Sequence, residues 1–120
     1  MVYKKDLQMH KDWASLMTEL ESRVGKRPKD LNSVLFLIGV QELGQGGQTF
    51  SKEEKQDLMH LAICKMLSGL GYYELIGKDE DGWPHWELVK ALPKFDLIDQ
   101  ERLLKIQILE YFQKEIGISL

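Results

Sequence analysis

The sequence predicts a mainly α protein, a small bundle of about four helices with a short aromatic loop or β-hairpin before the last helix. Three observations carry this. Apolar residues recur at helical spacing in four segments; capping or stop residues stand at the ends of those segments; and in one stretch, Tyr72 to Val89, the spacing changes and aromatic residues gather. With 120 residues, 43% of them hydrophobic and 29% charged, the composition suits one globular domain spanning 1–120. A chain of this length buries about two-thirds of its unfolded surface without a disulfide or structural metal.

Leu7, Trp13, Leu16, Met17, Leu20 and Val24 place the first helix over Tyr3 to Val24, with Gly25 as the left-handed stop and His10 at the edge of the apolar arc. Lys26 to Asp30 is a short linker: Pro28 blocks continuation and Asp30 can accept from the free N–H groups of the next helix. The run Val34 to Val40 fits a central strand or a buried helix by periodicity alone. The Asp30 cap, the polar Gln41-Glu42 tail and Gly44 favour a helix over Leu31 to Leu43, against which Gly39 counts. Gly44 to Gln48 is a flexible loop by composition.

Ser51-Lys52-Glu53-Glu54 has capping-box spacing, so the third helix starts at Ser51 and runs to about Leu70 before Gly71. Two aromatic-rich segments, Tyr72 to Ile76 and Trp83 to Val89, then flank the turn-prone Asp79-Glu80-Asp81-Gly82, with Gly82 expected at positive φ. After Pro93, Asp96 or Asp99 caps a last helix over Leu97 to Ile116, ended by Gly117.

Sixteen Lys and Arg against nineteen Asp and Glu leave a net charge of −3, which supplies no general field for phosphates, so nucleic acid is not an expected partner. The seven-residue run Val34 to Val40 falls short of the roughly 20 residues that span a bilayer, and no signal core follows Met1; neither membrane nor secretion is expected. One cysteine, Cys64, fits a reduced, cytoplasmic setting.

On a helical wheel of the third helix, Leu58, Met59, Ala62, Ile63, Met66, Leu67 and Leu70 share one arc, and Glu53, Asp57, His60 and Cys64 form a polar stripe. Neighbours at i+3 and i+4 stand ~5–6 Å apart, so Glu53, Asp57 and His60 are candidate metal ligands, and Asp57, His60 and Cys64 candidate catalytic groups. The plainer reading is a solvated face, with Cys64 covered by another element because free cysteine is usually buried. No metal and no cofactor is expected.

Asp79-Glu80-Asp81-Gly82 fails as a calcium loop: the register puts Gly77 at position one and Leu88 at position twelve, with Glu87 one residue out. Gly44 to Gly47 lacks both phosphate-cradle patterns. The basic cluster Arg23, Lys26, Arg27 and Lys29 complements the carbonyl end of the first helix. Trp83, His85 and Trp86, with Tyr72 and Tyr73, are candidate binding residues, since aromatic side chains give large contact area with few rotatable bonds. Strand alternation sets Trp86 with Leu88 and Trp83 with His85 and Glu87, so Trp86 is the expected buried indole and Trp83 the available one.

The strings Leu35 to Gly44, Phe50 to His60 and Gly77 to His85 resemble a family of small helical bacterial proteins with no assigned activity. The resemblance covers about Leu31 to Phe112 and implies a helical, cytoplasmic protein. From the residues themselves, the expected function is protein contact, with a protein partner or with a second copy as a homo-oligomer. The last-helix residues Leu103, Leu104, Ile106, Ile108, Leu109, Tyr111, Phe112 and Ile116 spread around more of the helix than one core stripe requires. The alternative is a metal-assisted or histidine-dependent hydrolase, which requires the third-helix stripe to face His85 across a cleft.

Overall fold

The computed structural model describes residues 6–44 and 47–120. The expected first turn at Tyr3 to Lys5, and Gln45 and Gly46 of the loop, lie outside the described residues. Helices account for 61% of the described residues, against ~30–35% in an average domain. The elements run α1 (Asp6–Val24), α2 (Leu31–Leu43), α3 (Lys52–Ser68), β1 (Tyr73–Lys78), β2 (Pro84–Leu88) and α4 (Leu97–Tyr111), which passes into a π-helical turn, Phe112–Ile116. Among the described residues no helix is long and apolar enough to cross a membrane.

The chain divides into two compact units. One contains α1 and α4. On α1 the buried residues are Met9, Leu16, Met17 and Leu20, a stripe at i, i+7, i+8 and i+11. Leu7 and Val24, expected on it, are exposed at the two ends, and His10 is exposed rather than packed at the edge. Arg102 Nε of α4 donates to Asp6 Oδ1 at 2.7 Å, and Lys105 Nζ lies 5.2 Å from the Trp13 ring centroid.

Of the eight apolar residues spread around the last helical segment, part of whose surface was expected to meet a second chain, six are buried and Leu103 and Ile116 are partly buried. The chain covers them itself, so their spread gives no ground for another chain. Asp96, rather than Asp99, is the cap: its Oδ1 accepts from Asp99 N at 2.8 Å.

The other unit, Asp30–Lys94, holds α2, α3 and the hairpin. Asp30 caps α2 as expected, its Oδ1 accepting from Ser33 N at 2.8 Å. The capping box of α3 is complete: Ser51 Oγ accepts from Glu54 N at 3.1 Å, and Glu54 Oε1 accepts from Ser51 N at 2.9 Å. These local bonds fix where each helix begins, satisfying N–H groups that have no carbonyl partner in the first turn.

The apolar run of α2 is buried at Val34, Leu35, Ile38, Gly39 and Leu43. Gly39 faces the α3 backbone at Leu58, so the missing side chain is what lets the two helices approach there. Leu43, Phe50 and Leu58 form a core cluster against which Phe36, Val40 and Trp83 pack. On α3 Cys64 is buried, as expected of a free cysteine, whereas the burial departs from the wheel elsewhere: Leu61 is buried, Met59 and Ile63 are only partly buried, and Leu70 lies beyond the helix end and is exposed.

Tyr72 to Val89 resolves in favour of the hairpin. β1 and β2 are antiparallel, with Tyr73 opposite Leu88 and Leu75 opposite Trp86; an extra residue at Ile76 then shifts the register, so that Gly77 meets His85 and Lys78 meets Pro84. Pro84 opens β2, a position where its missing N–H is tolerated. Between the strands Asp79 N donates to Trp83 O and Gly82 N to Asp79 O, both at 3.0 Å, which leaves a three-residue loop, Glu80 to Gly82. A three-residue hairpin loop needs its last residue left-handed, and Gly82 stands there at φ 87°.

Candidate functional site

The hairpin lies against α3, and between them is a cleft of 520 Å³. From α3 it is lined by Glu54, Asp57, His60, Leu61 and Cys64; from the hairpin, by Asp79, Asp81, Trp83, Pro84, His85 and Trp86. The two halves that the hydrolase alternative required to converge do converge. The capping box sets the start and phase of α3, and successive i+3 and i+4 steps then bring Asp57, His60 and Cys64 to one side. The three-residue loop brings Asp79 and His85, six apart in sequence, within hydrogen-bond distance across its mouth.

Asp79 organises the hairpin side. Its Oδ1 accepts from Asp81 N and Trp83 N, both at 3.0 Å, and its Oδ2 pairs with His85 Nε2 at 3.0 Å. The His85 bond, followed by the Trp83 N–H, holds the Asp79 carboxyl below the usual carboxylate range, so it stays ionised as pH falls past the point where ordinary aspartates protonate. An ionised carboxylate only accepts, so His85 Nε2 is the donor and Nδ1 is the unprotonated nitrogen of the neutral ring.

On the α3 side Cys64 Sγ lies 3.7 Å from His60 Nε2, and the thiol is hydrogen-bonded to the Tyr73 side chain of β1. The cysteine is covered by another element, as its place on the polar stripe implied. Burial pushes the Cys64 thiol up, against a smaller opposing effect of the Tyr73 bond, and burial likewise pushes up the Tyr73 phenol. A thiol held protonated is a poor nucleophile, because the thiolate is the reactive form. Besides this thiol, the ionisable groups lining the cleft are its carboxylates and imidazoles.

Several sequence expectations shift in detail. Glu53 is exposed and absent from the cleft wall; Glu54, assigned only to the cap, lines it instead. Glu53, Asp57 and His60 do not converge: among the described residues no group of three His, Cys, Asp or Glu side chains is placed to hold a metal ion. Tyr73 stands behind the cleft wall on Cys64, and Tyr72 carries Lys90, whose Nζ is 4.7 Å from its ring centroid. The expected split between the tryptophans is not met. Trp83 and Trp86 are both partly buried, and Trp83 is the one packed on the Leu43, Phe50 and Leu58 cluster.

Asp79 and Asp81, read from the sequence as a plain acidic turn, are site residues that the sequence reasoning missed. The signal was present in the spacing: an aspartate at the last position before a three-residue loop faces the strand that returns. Among the described residues the wall thus carries four carboxylates, two imidazoles and two indoles, and neither Lys nor Arg. Comparison with known proteins adds nothing further: no family model, no curated protein and no solved structure matches the chain.

Proposed function

We propose that the protein acts by contact with another protein, and that the cleft between α3 and the hairpin receives a lysine or arginine side chain of that partner. The observation that carries the reading is the composition of the cleft wall: Glu54, Asp57, Asp79 and Asp81 together with Trp83 and Trp86, and among the described residues no Lys or Arg. Carboxylates gathered in a concave site raise the local potential for cations more than the same charges on open surface. Indole faces add attraction for an ammonium or guanidinium, about 0.5–2 kcal/mol according to desolvation. The partly buried tryptophans also have the character of contact hot spots.

The test is a fluorescence and NMR titration with a capped peptide centred on lysine or arginine, beside the same peptide with norleucine. The cationic peptide is expected to bind and to shift the indole N–H signals of Trp83 and Trp86, with Asp57→Asn weakening it roughly tenfold, about 1.4 kcal/mol. Equal binding of the norleucine peptide, or none of either, removes the reading.

A second reading is favoured by one distance, the 3.0 Å between Asp79 Oδ2 and His85 Nε2. A carboxylate that fixes the tautomer of a histidine is the arrangement of an oriented general base. In such a hydrolysis His85 Nδ1 takes a proton from water, the water oxygen bonds to an acyl carbon, and the bond to the leaving group breaks as that group receives the proton. Initial rates on a panel of simple esters test it. The expected result is a rate above buffer that falls at least tenfold in His85→Gln and less in Asp79→Asn; a wild-type rate equal to that of His85→Gln ends it.

A further inference from the structure

The chain itself carries the kind of segment that the cleft fits. Arg23, Lys26, Arg27 and Lys29 lie within seven residues at the end of α1 and in the linker after it, and all four are exposed. Two of them are held in place: Arg23 Nε is 3.0 Å from Glu19 Oε1, and Arg27 donates to Thr18 Oγ1 at 3.2 Å. Pro28 restricts the linker next to Lys29, so ordering it on a partner costs less entropy than ordering a free polar tail. The acidic counterpart, on the wall of the cleft, holds Glu54, Asp57, Asp79 and Asp81.

Resting on the proposed reading of the cleft, we infer that its protein partner is a second copy of this chain, whose linker segment, Lys26 to Lys29, enters the α3–hairpin cleft. The two surfaces of this contact differ, so the association is head to tail, and every copy offers both a donor segment and an acceptor cleft. Lys26 and Lys29 supply the cations, with Trp83 and Trp86 as the apolar walls. The contact is mainly electrostatic and involves exposed groups, so it weakens steeply as salt screens it. Its source of specificity is the pairing of one basic segment with one acidic cleft, in a chain whose net charge is only −3.

Two variants separate the surfaces. Lys26→Glu with Lys29→Glu removes the donor segment, and Asp57→Lys spoils the acceptor; all three side chains are exposed, and circular dichroism confirms that each variant is folded. Sedimentation velocity at low salt is expected to show the parent forming dimers and higher species at high micromolar concentration, with the association constant falling at least fivefold between 50 and 500 mM salt. Each variant alone is expected to be monomeric. An equimolar mixture is expected to stop at dimers, because one intact segment meets one intact cleft.

A parent that stays monomeric while a lysine peptide still binds the cleft overturns this inference and leaves the cleft reading standing. If the parent associates and the mixture of variants does not, the head-to-tail arrangement is wrong. Failure of both the lysine peptide and the parent's association overturns the two together.

Discussion

Replacing Gly39 by alanine is expected to destabilise the α2–α3 unit by about 3 kcal/mol, the upper part of the usual range for overpacking a core. An added Cβ would stand 2.7 Å from the carbonyl carbon of Leu58 and 2.9 Å from its Cβ, and would also collide with the Leu58 carbonyl oxygen. The obstacle is mostly backbone inside α3, so no side-chain rotation relieves it and the two helices must move apart. Val34, Leu35, Ile38 and Leu58, all almost fully buried, then lose contact. Alanine in a helix interior gains about 1 kcal/mol over glycine in propensity, which offsets only part of that loss. Urea unfolding of Gly39→Ala beside the parent measures the difference; a variant as stable as the parent would show that the crossing has room to spare.

The same glycine shows where the sequence stops being informative. Within α2, Gly39 reads as a defect, because propensity is a local property and a close helix crossing is not. The features that were legible are local: the Asp30 cap, the Ser51–Glu54 box and the Gly82 turn each depend on residues two to four apart. The change to π-helical geometry at Phe112 was not legible, since Phe112 and Ile116, four apart with polar residues between them, read as one more ordinary α-helical turn before Gly117.

The site divides in the same way. Asp57, His60 and Cys64 follow from helical spacing alone. The Asp79–His85 pair requires the loop length to be known, and the meeting of hairpin and α3 depends on tertiary packing that no periodicity encodes. Glu54 was hidden by its other role: a side chain already assigned to the cap also lines the cleft beyond it.

The two tryptophans of the cleft are expected to differ in the direction opposite to strand alternation. Alternation applies within β2, which begins at Pro84, whereas Trp83 lies before it, between the three-residue loop and the strand, where its backbone N–H is held by Asp79 Oδ1. Freed from the strand register, its side chain packs on Leu43, Phe50 and Leu58. Leu88, which was expected to extend a buried face with Trp86, is 50% exposed. Trp83→Ala therefore cuts away contacts to a buried cluster and is expected to cost about 3 kcal/mol, the low end for a core tryptophan because the ring is only partly buried. Trp86→Ala loses less. Its Nε1 is a buried donor with no acceptor among the described residues, and deleting such a group returns part of its desolvation cost, about 1–3 kcal/mol. Trp86→Phe isolates this effect, keeping an aromatic ring while removing the N–H, and is expected to melt within a few degrees of the parent. Thermal melts of the three variants decide the order: a larger loss for Trp86→Ala than for Trp83→Ala would show that the Leu43, Phe50 and Leu58 cluster stands without its tryptophan cover.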